Sequence, residues 1–131
     1  MNRPVHFEII SKDPERTSEF YKKAFGWDSQ SWQDSGYWLV MTGEESGGAP
    51  GIDGGIMSEK DAVEVFGQEV PAYICTLEVE DIDSAIASVT SSGGSLINEK
   101  NQIQGVGWHV YCRDPDGNIF GLMERLELPA E

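Results

Sequence analysis

At 131 residues, with 39% apolar and 24% charged side chains, the chain has the size and composition of one folded domain, not of two and not of a disordered tail. Its 23 acidic against 9 basic residues leave a net charge of -14, which repels both a nucleic acid backbone and an anionic membrane surface, and no basic run reverses it locally. No window reaches the roughly 18 apolar residues that span a bilayer, and MNRPVHFEII lacks a signal peptide's apolar core and cleavage site, so a cytoplasmic chain is expected. Cys75 and Cys112 form no CxxC pair and read as reduced, small, buried residues.

In chain order, Val5 to Ile10 has the apolar, β-favouring content of a strand. Asp13 then caps a helix with Pro14 at its first position and Glu15 in its first turn, where exposed N–H groups and the positive dipole end favour such residues. Thr17, Phe20, Tyr21, Ala24 and Phe25 form the expected apolar stripe, and Gly26 ends the helix. Ser29 to Gln33 and Tyr37 to Met41 follow, then the glycine-rich stretch GEESGGAPGIDGGIM, which reads as a flap leading into a last strand. It has no Gly-Lys-Ser/Thr ending and no helix behind it, so a phosphate-cradling loop is not expected.

The pattern then repeats. Ala72 to Val79 is a strand, Asp81 or Asp83 opens a helix whose stripe is Ile82, Ala85, Ile86 and Val89, and Gly93-Gly94 stops it. Ser95 to Ile97, Val106 to Cys112 and Ile119 to Met123 supply three more strands, the last two joined by an Asp114-Pro115-Asp116-Gly117 turn. That turn and Asn118 have some of a calcium loop's spacing but lack the remaining ligands. Each half is therefore βαβββ: module one at about 4–58, a linker at about 59–71 with one helical turn near Ala62 to Phe66, and module two at about 72–126. The predicted class is α+β, a single domain whose two modules form a curved mixed sheet around a cleft.

The repeat, the opening HFEIISKDPERTSEFYKKAFGW, the PGIDGGIM segment and GVGWHVYCRDPDGNIFGLME resemble the vicinal oxygen chelate superfamily of glyoxalase, dioxygenase and bleomycin-resistance proteins, and within it the bacterial glyoxalase I-related branch. The resemblance covers residues 4–126 and implies a homodimer. In metal-dependent members each half offers one ligand from its first strand, seven residues before the Asp that opens the helix, and a Glu from its last strand. Counting back from Asp13 gives His6, but counting back from Asp81 gives Ile74; the two last strands align without a gap and place Gly55 and Gly121 at the Glu positions.

Of four family ligand positions only His6 carries a ligand, whereas catalytic zinc sites typically use three protein ligands. No metal and no other cofactor are expected, and the ligand count argues against lactoylglutathione lyase activity itself. Glu8 shares a strand face with His6, so the pair can serve as polar anchors, as an acid/base pair, or as half of an improvised divalent metal site. The cleft is expected to be lined by His6, Glu8, Trp38, Gly55, Ile74, Thr76, Trp108 and Gly121, the two tryptophans giving aromatic surface for a planar ligand. Gly121 either leaves backbone bare for a flat ligand or relieves crowding. Trp27 reads as structural and His109 as an edge or solvated histidine. Three functions are compatible with this: metal-independent binding of a small organic molecule, a glyoxalase-related lyase or isomerase using His6 or Glu8 with an atypical metal site, and a non-catalytic interaction domain.

Overall fold

The computed structural model describes residues 1–33, 35–43, 50–70 and 73–126; the centre of the glycine-rich flap lies outside the described residues. Two compact units are formed, one from His6–Ile74 and one from Met1–Val5 with Cys75–Glu131.

The first unit contains β1 (Arg3–Ser11, which straddles the division), α1 (Pro14–Phe25), β2 (Asp28–Trp32), β3 (Tyr37–Met41), β4 (Asp53–Ser58) and α2 (Glu59–Phe66). Its strand order is β2-β3-β4-β1, antiparallel except that β4 runs parallel to β1. A parallel pair needs a long crossover, which α1 and the β2–β3 hairpin supply. The second unit contains β5 (Ile74–Glu78), α3 (Ile82–Ser91), β6 (Ser95–Leu96), β7 (Asn101–Ile103), β8 (Gly107–Arg113) and β9 (Ile119–Arg125). Its order is β5-β9-β8-β6, with β7 also on β8 and β5 parallel to β9. In each unit the first and last strands thus lie side by side. The α+β class and the repeated strand-helix-strands pattern are as the sequence predicts.

Helix ends follow the predicted chemistry. Asp13 accepts from the Arg16 amide at 3.2 Å, Pro14 takes the first turn, and Gly26 closes α1 at φ 77°. Asp81 accepts from the amides of Asp83 and Ser84, while the remote Glu124 carboxylate accepts from the Ile82 amide at 2.8 Å. The stripe Ile82, Ala85, Ile86 and Val89 packs as expected on Val79, Val110, Cys112 and Leu122.

The stripe of α1 is corrected. Phe20 and Phe25 are 57% and 64% exposed and Ala24 is exposed, whereas Pro14, Thr17 and Tyr21 are half-buried and Ser18 is buried. The inward line runs 14, 17, 18, 21, a full i, i+3, i+4, i+7 series rotated from the one the aromatics suggest. Aromatic contact fixes the rotation: Tyr21 stacks on Trp27 at 4.8 Å and 7°, and its hydroxyl meets that of Tyr73 at 3.2 Å. That bond, with burial second, pushes the Tyr73 phenol up to about 12.

Two elements exceed the prediction. The linker holds a full helix, α2, capped by the Ser58 hydroxyl accepting from the Asp61 amide at 3.1 Å and anchored by buried Ala62 and Phe66. Polar Asn101-Gln102-Ile103 is a strand only because β8 offers it an edge. Asp114 closes the predicted turn by accepting from Asp116 and Asn118, and Asn118's side-chain amide holds the Asp114 carboxyl below its usual range. Burial pushes the Cys112 thiol up to about 11, which keeps it an inert core residue. Among the described residues no helix is long and apolar enough to cross a membrane.

Candidate functional site

Strand alternation divides each sheet into two faces. In the first unit Phe7, Ile9, Val40 and Ile56 form a core cluster, with Tyr21 and Trp27 of the α1 side packed against it. Trp38 is in register with Ile56 and packs on this cluster, so it does not share the face of Gly55. The opposite face carries His6 and Glu8 from β1, Tyr37 and Leu39 from β3, and Asp53, Gly55 and Met57 from β4, with Gly55 in register with both Glu8 and Leu39.

Tyr37 determines what this face is. A Cβ at Gly55 would stand 1.9 Å from the Tyr37 hydroxyl oxygen and 2.2 Å from Cζ, far inside van der Waals contact. The phenol therefore occupies the space into which a side chain at position 55 would grow. Its oxygen is 3.0 Å from His6 Nε2, a hydrogen bond whose donor is set by the imidazole tautomer. Glu8 lies next along β1 on the same face and is only 4% exposed.

The second unit repeats the arrangement with other residues. Thr76 and Tyr111 are both in register with Gly121, and His109 is in register with Met123. A Cβ at Gly121 would stand 2.4 Å from Thr76 Oγ1 and 2.9 Å from His109 Nε2. Those two atoms are 3.5 Å apart, and the His109 ring meets Tyr111 edge-on at 4.5 Å. Thr76 is 1% and His109 7% exposed, so His109 is a buried residue and not the edge histidine expected from its neighbours. Ile74 is buried one alternation before Thr76.

Three expectations change here. Trp108 turns toward α3, packing against the cluster that contains Val110 and Cys112 with the Lys100 ammonium 4.6 Å over its ring, so it does not share the face of Gly121. The backbone at Gly121 is not bare but roofed by Thr76 and His109, so of the two roles weighed for this glycine, relief of crowding holds. Tyr37 and His109, which sequence reasoning did not place in the site, are the polar rings beside the two glycines. Reading back from Gly121 across the short Asp114–Gly117 turn flags His109, but the long connection between β3 and β4 leaves the register of Tyr37 with Gly55 unreadable from the sequence.

The residues present do not fit the family's metal centre. Gly55 and Gly121 carry no donor and have no room for one, Ile74 is apolar, and among the described residues no three His, Cys, Asp or Glu side chains gather so as to hold an ion. What the first unit does offer is a proton-sharing phenol and imidazole beside a buried carboxylate. An open groove of about 300 Å³ lies elsewhere, between α1 and β2 around Lys22, Trp27 and Asp28, and Lys22 and Asp28 pair with each other.

A family model described as glyoxalase-like domain matches residues 6–123. A glyoxylase-like domain-containing protein of Didymella fabae is 27% identical over 125 residues, covering 90% of each chain. Among solved structures, methylmalonyl-CoA epimerase from Mycobacterium tuberculosis is similar at TM-score 0.65 and 18% identity, over 95% of this chain and 88% of its own. A hypothetical protein from Bacillus halodurans aligns at TM-score 0.67 and 13% identity over 98% of both chains. A Streptomyces coelicolor methylmalonyl-CoA epimerase variant in complex with 2-nitronate-propionyl-CoA aligns at TM-score 0.65 and 16% identity, over 100% of this chain and 99% of its own. At these identities the structural likenesses are likenesses of fold.

Proposed function

We propose that this chain, which belongs to the glyoxalase-like domain family of the vicinal oxygen chelate superfamily, binds a small organic molecule through His6, Tyr37 and Glu8 without a resident metal ion. The observation that carries this reading is the Tyr37 hydroxyl: it stands where a family member's carboxylate would begin, already joined to the one family ligand that remains, His6. A phenol and an imidazole can donate to and accept from a carbonyl or hydroxyl oxygen, so they can orient such a group by hydrogen bonds.

The ligand class follows from charge. Glu8 lies on the same face and the protein carries a net charge of -14, so an uncharged carbonyl compound is favoured over an anion. The epimerase complex named above holds an acyl-CoA analogue; here the acyl thioester portion suits the face better than the phosphates of coenzyme A. We place the protein in the cytoplasm, where free Cys75 and Cys112 stay reduced, and as a homodimer by family resemblance.

One observation favours a second reading. Glu8, buried beside His6, has the placement of a base that removes a proton from carbon next to a carbonyl, as a lyase or isomerase would require. Loss of turnover with retained binding in Glu8→Gln would select it.

The test is a calorimetric screen of uncharged carbonyl compounds, including hydroxyacetone and S-propionyl-N-acetylcysteamine. At least one should bind, and Tyr37→Phe should weaken it about tenfold, the worth of one well-placed hydrogen bond. Binding that ignores Tyr37→Phe, or no binding across the panel, would refute the assignment.

A further inference from the structure

α1 belongs wholly to the His6–Ile74 unit. Its sheet-facing line at 14, 17, 18 and 21 leaves Arg16, Glu19, Phe20 and Lys23 on the outward side, again at i, i+3, i+4 and i+7, and all four are exposed. Phe20 and, at the end of the helix, Phe25 are both more than half exposed. Their rings are ordered nonetheless: Phe20 meets Tyr21 edge-on at 5.0 Å and Phe25 edge-on at 6.5 Å, and Phe25 lies 5.9 Å from Trp27. Exposed aromatic rings already held in place make good anchors for a protein interface, because docking then orders little that was free.

We propose that the outward face of α1 is an interface between two copies of this chain, the two helices running antiparallel across a two-fold axis. This rests on the homodimer assigned above and gives it a contact surface. Charge selects a second copy as the occupant. A net charge of -14 sets two copies against each other over most of their surface, but Lys12, Arg16, Lys22 and Lys23, four of the nine basic residues, outnumber Asp13, Glu15 and Glu19, so residues 12–23 are locally positive. The outward line is also self-complementary. In an antiparallel pair whose axis lies level with residue 21, each Glu19 stands opposite the partner's Lys23, and the two Phe20 rings flank the axis about 3 Å apart in height. Arg16 then reaches the end of the partner helix, where an exposed Phe25 ring and the negative end of the dipole both attract a cation. Lys22 is paired with Asp28, but among the described residues the side chains of Arg16, Glu19 and Lys23 form no ion pair or hydrogen bond within the chain, which leaves them to a partner.

The experiment is sedimentation equilibrium of the full chain from micromolar to millimolar concentration. A single helix pair is smaller than a standard interface, so a reversible dimer with a micromolar dissociation constant is expected. Phe20→Ser should weaken it at least about tenfold, with a melting temperature within about 4 °C of wild type because the ring is exposed. Glu19→Lys and Lys23→Glu should each weaken association, since like charges then face each other in both symmetry-related contacts. An equimolar mixture of these two variants should associate as the wild type does, every pair across the axis being opposite in charge again. A wild-type dimer indifferent to Phe20→Ser, or a mixture that associates no more tightly than its components, would place the interface elsewhere and overturn this proposal while the homodimer stands. A wild-type chain that stays monomeric throughout would overturn both.

Discussion

Gly107→Ala is expected to cost about 3 kcal/mol or more and to lower the melting temperature by about 10 °C. Gly107 has φ 148°, a region L-residues rarely enter, and a Cβ there would lie 2.0 Å from the Glu124 carbonyl oxygen and 2.9 Å from the Arg125 Cα. Both obstacles are backbone, so no rotamer change relieves them. Relief requires β9 to move away from β8, with which Gly107 and Arg125 are in register. That movement reaches further, because the Glu124 side chain accepts from the first amide of α3 and Gly121 sits in the same strand. Gly105→Ala is the control: its φ is 79° but nothing lies within 4 Å, so it should cost only about 1 kcal/mol for backbone strain. Urea unfolding of both variants tests this, and equal losses would show that the contact with β9 is not what demands glycine.

The second large effect is a reversal of sign at Gly55. With Tyr37 in place, Gly55→Ala should destabilise by about 2 kcal/mol, because the phenol must swing out and abandon His6. In a Tyr37→Ala background the same substitution should be neutral or stabilising by up to about 0.5–1 kcal/mol, the ordinary gain of alanine over glycine in a strand. The double-mutant cycle reads the difference as a coupling energy near 3 kcal/mol. A cost that persists without Tyr37 would mean that glycine serves the strand pairing and not the ring.

Much of the fold is legible residue by residue. Asp13 with Gly26, and Asp81 with Gly93-Gly94, bracket their helices because caps are local chemistry, and β3 spans the predicted Tyr37–Met41. The orientation of α1 is not legible, because Phe20 and Phe25 look like core residues and only the Tyr21–Trp27 stack shows which side faces the sheet. The site is half legible. His6, Glu8, Gly55 and Gly121 follow from the repeat, but Tyr37 and His109 do not align without a gap, since the loop between β3 and β4 is longer than the turn between β8 and β9. Side-chain type suggests Trp38 and Trp108 for the site, whereas alternation from Gly55 and Gly121 turns both toward the cores.

The claim that Tyr37 stands in the place of a metal-binding carboxylate is tested most directly by metal analysis of the untagged protein, followed by titration with nickel, zinc, manganese and iron(II) while melting temperature is recorded. The geometry predicts far less than one ion per chain and no shift in melting temperature with any of the four. An ion near one per chain, lost in His6→Ala or Glu8→Ala, would contradict it and restore metal-assisted chemistry at this face.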